Sequence, residues 1–472
     1  MKFRTIVSSV FCLALLGPAG AAQAEVRLAK IFGDHMVLQQ QMPVPVWGWA
    51  PAGEEVTVEL AGHKATGRAD DTGRWQVTLD PLEAGGPHEM TITGSQTISV
   101  KDILVGEVWI CSGQSNMAWT VSHADRAAEE IAAADHPRLR HFQVAQRIAE
   151  SPAADVQGKW DVASPATAAG FTAVGYFFGR HLLEELDVPI GLVNTSWGGT
   201  PAEAWTSRGG LQADEDLKAF VAHSAKFSPK NPHQPSVLFN GMVSPLVPLA
   251  MRGVIWYQGE SNVGRAQQYA RLFPAMITDW RASWGRGDFP FLYVQLAPFR
   301  YGRNDPAACA ELWEAQLKTL ALPQTGMAVT VDIGNPQDIH PKNKQDVGRR
   351  LALWALAGTY GRSLVYSGPL YEKFAVEGNK IRVHFRHVGS GLVARGGELT
   401  HFTIAGADGR FLAAQARIDG ETVVVESPEV PEPVAVRYAW RDDAQANLFN
   451  QEGLPASPFR TDDFPPVTAA KR

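Results

Sequence analysis

Between about residue 104 and residue 365, apolar strand-like runs alternate with amphipathic helical patterns. That rhythm leaves the chain few folds. The runs are EVWIC (107–111), PIGLVNT (189–195), GVIWYQ (253–258), FPFLYVQLA (289–297) and MAVTVDIG (327–334). Between them, Val174, Phe178, Leu182 and Leu186 recur at i, i+4 spacing, one face of a helix over 171–186. Stretches 267–284, 308–322 and 347–360 read the same way. Strand, helix and strand in turn predict a mostly parallel sheet covered on both faces. Such sheets carry their sites just beyond the carboxyl ends of the strands. That rule selects the polar residues worth weighing.

The flanks have a different texture. From 25 to about 103, the segments MPVPVWGWA, EEVTVELAG, GRWQVTL and HEMTITGS are short, alternate in polarity and are split by Pro, Gly and Asp. They predict a small antiparallel sandwich. From about 369 to the end, NKIRVHFRHV, HFTIAGADGRF, ETVVVESP and PVAVRYAW predict a second β-rich part. The expected organisation is a leader (1–24), a β domain (25–103), an α/β domain (104–368) and a C-terminal β domain (369–472). A length of 472 residues suits two to four domains.

The leader is read from Lys2 and Arg4, an apolar run from Ile6 to Leu16, and Ala22-Gln23-Ala24 before Glu25. This is the pattern of a bacterial secretory signal, and the run is too short to span a bilayer. A periplasmic or extracellular protein without a membrane span is expected. Net charge is -6 with no run of Lys and Arg, so a nucleic-acid partner is not expected. Cys111 and Cys309 make no disulfide scaffold, and Cys111 sits in an apolar run as a small core side chain. No Cys or His cluster has zinc spacing, and no dinucleotide or phosphate-loop motif occurs. No metal or cofactor is called for. Oligomeric state is not legible.

Four strand ends carry polar or glycine-rich turns. They are Gly113-Gln114-Ser115-Asn116, Asn194-Thr195-Ser196-Trp197-Gly198-Gly199-Thr200, Gln258-Gly259-Glu260-Ser261-Asn262, and the segment from Asp332 through Asp338, Ile339 and His340. Taken singly, each reads as a turn, loop or cap. Taken together they supply one chemistry. A serine hydroxyl needs a base within hydrogen-bond reach, and the base needs an orienting group. Ser115, His340 and Asp338 fit those roles. A developing oxyanion needs donors, available as the N–H of Ser115, the N–H of Gly198 or Gly199, and the amide of Asn262. Two rival Asp/His pairs are weaker. Asp34-His35 lies outside the alternating region, and Asp135-His136 follows an Ala-rich stretch that reads as a helix end. Position 117 is Met, so no Gly-x-Ser-x-Gly elbow surrounds Ser115, which argues against an α/β-hydrolase.

The blocks GEVWICSGQSNM, GLVNTSWGGTPAEAW, LFNGMVSPL, GVIWYQGESN and DIHPKNKQDVGRRLA resemble the SGNH hydrolase superfamily, and within it the sialate O-acetylesterase family and its carbohydrate-esterase relatives. The resemblance implies a three-layer α/β/α catalytic domain. It implies Ser115 as nucleophile, His340 as base, and Gly199 (or Gly198) with Asn262 in the oxyanion hole. Many SGNH enzymes space the last pair Asp-x-x-His, whereas here Gln337 stands three before His340, so either Asp338 or a backbone carbonyl orients the imidazole. The implied reaction is hydrolysis of an O-acetyl ester on a sugar through an acetyl-enzyme. The sugar is a sialic acid or a plant hemicellulose such as xylan or xyloglucan. Gln114, Asn116, Trp197, Gly198 and Glu260 are candidate sugar-binding residues, with Arg300 held more loosely. Trp119, Trp205 and Trp256 lie near the motifs and are either stacking platforms or core. A glycan-binding protein with a vestigial site is the non-enzymatic alternative.

Overall fold

The computed structural model describes Met1 and residues 25–224, 226–302 and 304–469. The secretory-signal reading falls on residues outside that set. The central sheet is built from β1 (Thr97–Gly113), β2 (His136–Gln143), β3 (Trp160–Ala163), β4 (Ile190–Ser196), β5 (Gly253–Tyr257), β6 (Phe291–Val294) and β7 (Thr325–Ala328). Their spatial order is β3-β2-β4-β1-β5-β6-β7. Every neighbouring pair is parallel except β3 with β2. Chain order therefore reverses around β1, which lies between β4 and β5. A crevice opens at such a switch point.

Helix α2 (Ala173–Leu186) packs with α5 (Lys344–Gly358), and α3 (Ala266–Trp284) packs with α4 (Ala307–Thr319). The two pairs lie on opposite sheet faces. Trp109 of β1 meets Phe178 of α2 edge-on at 5.0 Å, while Trp256 of β5 packs on Phe273 and Trp280 of α3. Strands buried on both faces read as continuous apolar runs, and that is why β1, β4 and β5 are legible in sequence. Helix starts follow local chemistry as well. Asn343 caps α5 by accepting the N–H of Asp346 at 3.0 Å, and its amide donates back to the Asp346 carboxylate.

β2 and its antiparallel neighbour β3 both escape the sequence reading. β2 reads HPRLRHFQ, too polar for an apolar run. Its Arg140 is buried because it donates to Asp102 and to the His35 carbonyl, and His141 is buried by stacking on Phe171 at 4.4 Å. The strand expected over 327–334 also stops early. Beyond Ala328 the chain leaves the sheet edge, because Arg350 of α5 donates to the Val329 carbonyl and to both oxygens of Asp332. That departure carries the following segment toward the crevice.

The β regions join this core directly. β1 is 17 residues long. Its first half pairs antiparallel with Gly85–Thr93 in the N-terminal β region, and its second half is the central strand of the α/β sheet. The boundary expected at 103/104 thus falls inside one strand. The C-terminal part forms two four-stranded antiparallel sheets and a two-stranded pair. Its tail returns to α4, where Arg460 pairs with Glu314, and Glu311 accepts the N–H groups of Val467 and Thr468.

Candidate active site

Register brings three strand ends level. Gly113, the last residue of β1, pairs with Ser196 on one side and Tyr257 on the other. Gly113 has φ +136°, and a Cβ there would lie 2.2 Å from the Tyr257 carbonyl oxygen. Only glycine lets the strand turn at that approach. Gln114 then donates its N–H to Tyr257 O at 2.9 Å, and Trp197 donates its N–H to Gly113 O at 3.0 Å. The chain closes into the single turn α1 (Ser115–Ala118), with Ser115 at its first position.

Ser115 is half-buried and faces His340, with Ser115 Oγ and His340 Nε2 2.9 Å apart. With neutral His340 carrying its proton on Nδ1, the Ser115 hydroxyl donates to Nε2. His340 also stacks on Trp119, with ring centroids 4.7 Å apart and planes 17° from parallel. Trp119 is thus a wall of the His340 ring rather than core. Trp205 and Trp256 are fully buried core residues.

Asp338 sits beside His340 without the expected side-chain bond. Its Oδ1 lies 3.9 Å from His340 Nδ1, beyond hydrogen-bond length, and instead accepts the His340 backbone N–H at 2.9 Å. Asp338 fixes the loop and acts on the imidazole through space. Asp338→Ala is therefore expected to cost about 10- to 100-fold in kcat, against ~10⁴-fold for a directly bonded orienting Asp. Steady-state kinetics on p-nitrophenyl acetate measures it.

Burial pushes the His340 imidazole below its ordinary range, and the nearby Lys344 ammonium pushes it further down, while Asp338 opposes both. An imidazole must be neutral to accept a proton. Activity should hold at neutral pH and fall on acidification through a midpoint below ~6.5, the value of an unperturbed imidazole. A kcat/KM profile from pH ~4 to ~8 checks the sign and place of that limb.

Gly198 and Gly199 form an exposed turn beside Ser115. A Cβ on Gly198 would lie 3.3 Å from Ser115 Cβ, so Gly198 is the residue of the pair packed against the serine; Gly199 holds φ +75°. No protein acceptor takes the N–H of Ser115, Gly198 or Gly199 among the described residues. Asn262 is buried beneath this turn. Its Oδ1 accepts from Ala202 N–H at 3.0 Å and from Gln258 Nε2 at 2.7 Å, and its Nδ2 donates to Glu203 at 3.0 Å. Three of its four hydrogen-bonding capacities are filled, which leaves one N–H of Nδ2.

Several expected sugar-binding residues have other work. Gln114 is buried, and its Oε1 accepts the N–H groups of Gly259 and Ser261. Asn116 is buried too. Its amide donates to Glu260 at 2.6 Å and to Ile339 O at 2.9 Å, and its Oδ1 accepts from Lys344 Nζ at 2.5 Å. Asn116 thus braces the turn from below, with its polar atoms satisfied inside the protein, and Gln114 anchors the same turn through Oε1. Glu260, half-buried, belongs to the same brace. Trp197 stays half-buried next to the Gly-Gly turn. Arg300 pairs with Asp443 of the C-terminal part at 3.2 Å.

Sequence reasoning missed Glu203, which holds Asn262 and is itself held by Arg265 at 2.6 Å. It also missed Lys344, four residues after His340. In the run Lys342-Asn343-Lys344-Gln345-Asp346 it reads as a solvated helix start, and no local signal marks it as buried. Among the described residues, no helix is long and apolar enough to cross a membrane.

Residues 105–356 match the family described as carbohydrate esterase, sialic acid-specific acetylesterase. The sialate O-acetylesterase of Rattus norvegicus is 34% identical over 413 residues, covering 74% of this chain and 76% of its own. That of Homo sapiens is 34% identical over 395 residues, covering 75% of each. A carbohydrate acetylesterase from Xanthomonas citri, of solved structure, is 44% identical with a TM-score of 0.87 over 93% of this chain and 100% of its own. A parallel sheet with a serine, a histidine and free N–H groups at its switch point, in a chain of these likenesses, defines a carboxylic ester hydrolase acting on acetylated carbohydrate. The chain belongs to the sialic acid-specific acetylesterase family of carbohydrate esterases.

Proposed function

We propose that the chain is a serine O-acetylesterase that removes acetyl groups from sugar hydroxyls through an acetyl-enzyme on Ser115. The observation that carries the reading is the 2.9 Å contact between Ser115 Oγ and His340 Nε2 at the carboxyl end of β1. Ser115 Oγ attacks the acetyl carbonyl carbon as its proton passes to His340 Nε2. The oxyanion so formed is held by N–H groups at Ser115, at Gly198 or Gly199, and at Asn262 Nδ2. Collapse breaks the bond from the acetyl carbon to the sugar oxygen, and His340 returns its proton to that oxygen. Water then attacks the acetyl-enzyme, giving its proton to His340, and acetate leaves with Ser115 restored.

An acetyl group is small, so discrimination falls to the sugar. Trp197, half-buried beside the turn, offers an apolar face for a sugar ring. The curated relatives are sialate O-acetylesterases and the structural relative is a carbohydrate acetylesterase. Acetate release from O-acetyl sialic acids, acetyl-xylan, acetyl-xyloglucan and acetylated pectin tests the reading. Release from at least one, lost in Ser115→Ala, supports it, and no release from any contradicts it. The charged, apolar and Ala-x-Ala pattern of the first 24 residues supports export, with a mature chain beginning at Glu25.

A further inference from the structure

Lys344 is fully buried, at 0% exposure. It is also the first residue of α5, where the helix dipole disfavours a cation. Burial pulls its amine down to about 7, opposed by the charges of Glu260 and Asp338. Neither core packing nor helix propensity accounts for a lysine there, since both would favour an apolar or acidic residue.

Its contacts give it a different logic. Nζ donates to Asn116 Oδ1 at 2.5 Å, and lies 5.2 Å from the ring centroid of Tyr257 and 5.9 Å from that of Trp119. Asn116 follows the nucleophile directly. Its own amide donates to the carbonyl of Ile339, which directly precedes His340, and to Glu260. The second oxygen of Glu260 is buried with no hydrogen-bond partner among the described residues. One ammonium therefore secures the side chain that spans the serine turn, the histidine loop and the turn after β5. The groups facing it are Asn116 of α1 and Trp119 just after it, Tyr257 and Glu260 from β5 and its turn, and Asp338 and His340 from the loop before α5.

We propose that Lys344 is a positioning residue of the acetyl-transfer site. By holding Asn116 it ties the serine turn to the histidine loop and sets the Ser115–His340 contact from beneath. It also supplies the positive charge that keeps the His340 imidazole neutral in mildly acidic solution. The inference rests on the serine-esterase reading above.

The test is the pH dependence of kcat and KM on p-nitrophenyl acetate for the full chain and for Lys344→Met, Asn116→Leu and the double variant. Lys344→Met should lower kcat by about 10²-fold, the scale of a 1 Å misplacement, with KM little changed. Its acidic limb should move to higher pH, because a charge that depresses the imidazole is gone. Asn116→Leu removes the tie and leaves the charge, so kcat should fall while the limb stays. The double variant should cost no more kcat than the worse single, since both break one linkage. Unchanged kcat, an unmoved limb in Lys344→Met, or additive losses would each overturn the proposal. If Lys344→Met does not fold, full kcat in Asn116→Leu overturns it and a lowered kcat supports it. The esterase reading fails separately, through an active Ser115→Ala.

Discussion

His340→Ala is expected to lower kcat for ester hydrolysis by about 10⁴-fold or more, and to cost no more when combined with Ser115→Ala. In the proposed cycle the imidazole accepts the serine proton and later returns it to the departing oxygen, so each step passes through Nε2. Its contact with Ser115 Oγ is already at hydrogen-bond length, and its ring is held flat against Trp119. Without it the hydroxyl keeps its proton and attacks poorly. The two residues act as a unit, so their losses should not add. Single and double variants assayed on p-nitrophenyl acetate, with folding checked by circular dichroism, measure this. A His340→Ala enzyme within tenfold of the parent would move the base elsewhere.

The second large effect is expected at Asn262. Asn262→Ala should lower kcat by about 10²–10³-fold, the usual cost of one oxyanion donor. Two consequences combine. The remaining Nδ2 N–H is lost, and the Gly198-Gly199 turn loses its mooring, because Asn262 Oδ1 accepts from Ala202 just downstream. Glu203 and Gln258 each also lose a buried partner, so a stability loss of about 1–3 kcal/mol should accompany the kinetic one. Steady-state kinetics and urea denaturation of the same variant separate the two. A raised KM with kcat unchanged would make Asn262 a scaffold of the binding surface and not of the transition state.

Much of the fold is legible in the sequence because burial on both faces leaves a plain mark. EVWIC, PIGLVNT and GVIWYQ are mostly apolar along their length, and they are the three strands that meet at Ser115. β2 is hidden because its burial is achieved through Arg140 and His141, whose partners Asp102 and Phe171 are distant in sequence. The site divides in the same way. Ser115, Gly198, Asn262 and His340 stand in turns after strands, where the chemistry of each residue type is readable. The layer beneath them is not. Asn116 and Glu260 look like cleft residues, because a polar side chain in a turn looks the same whether it points to solvent or inward. Lys344 looks like a surface lysine for the same reason. Their roles depend on partners up to 228 positions away, and only the folded chain brings these together.

The same layer explains why the site can be built on such short turns. α1 is four residues long and has no side-chain cap. It is held instead by Gln114 reaching the turn after β5 and by Asn116 reaching the histidine loop. Preorganisation of this kind would let the proposed oxyanion donors act without reorganising during the reaction.

The central claim is that Ser115 is the nucleophile. It is tested most directly by the rate of acetate release by Ser115→Ala on whichever acetylated glycan the parent enzyme hydrolyses, with thermal stability matched. Release at the uncatalysed rate, or within the ~10³–10⁴-fold residual that binding and oxyanion donors alone provide over water, is the predicted result. A rate near that of the parent would contradict it and return Ser115 to a polar turn at the end of a strand.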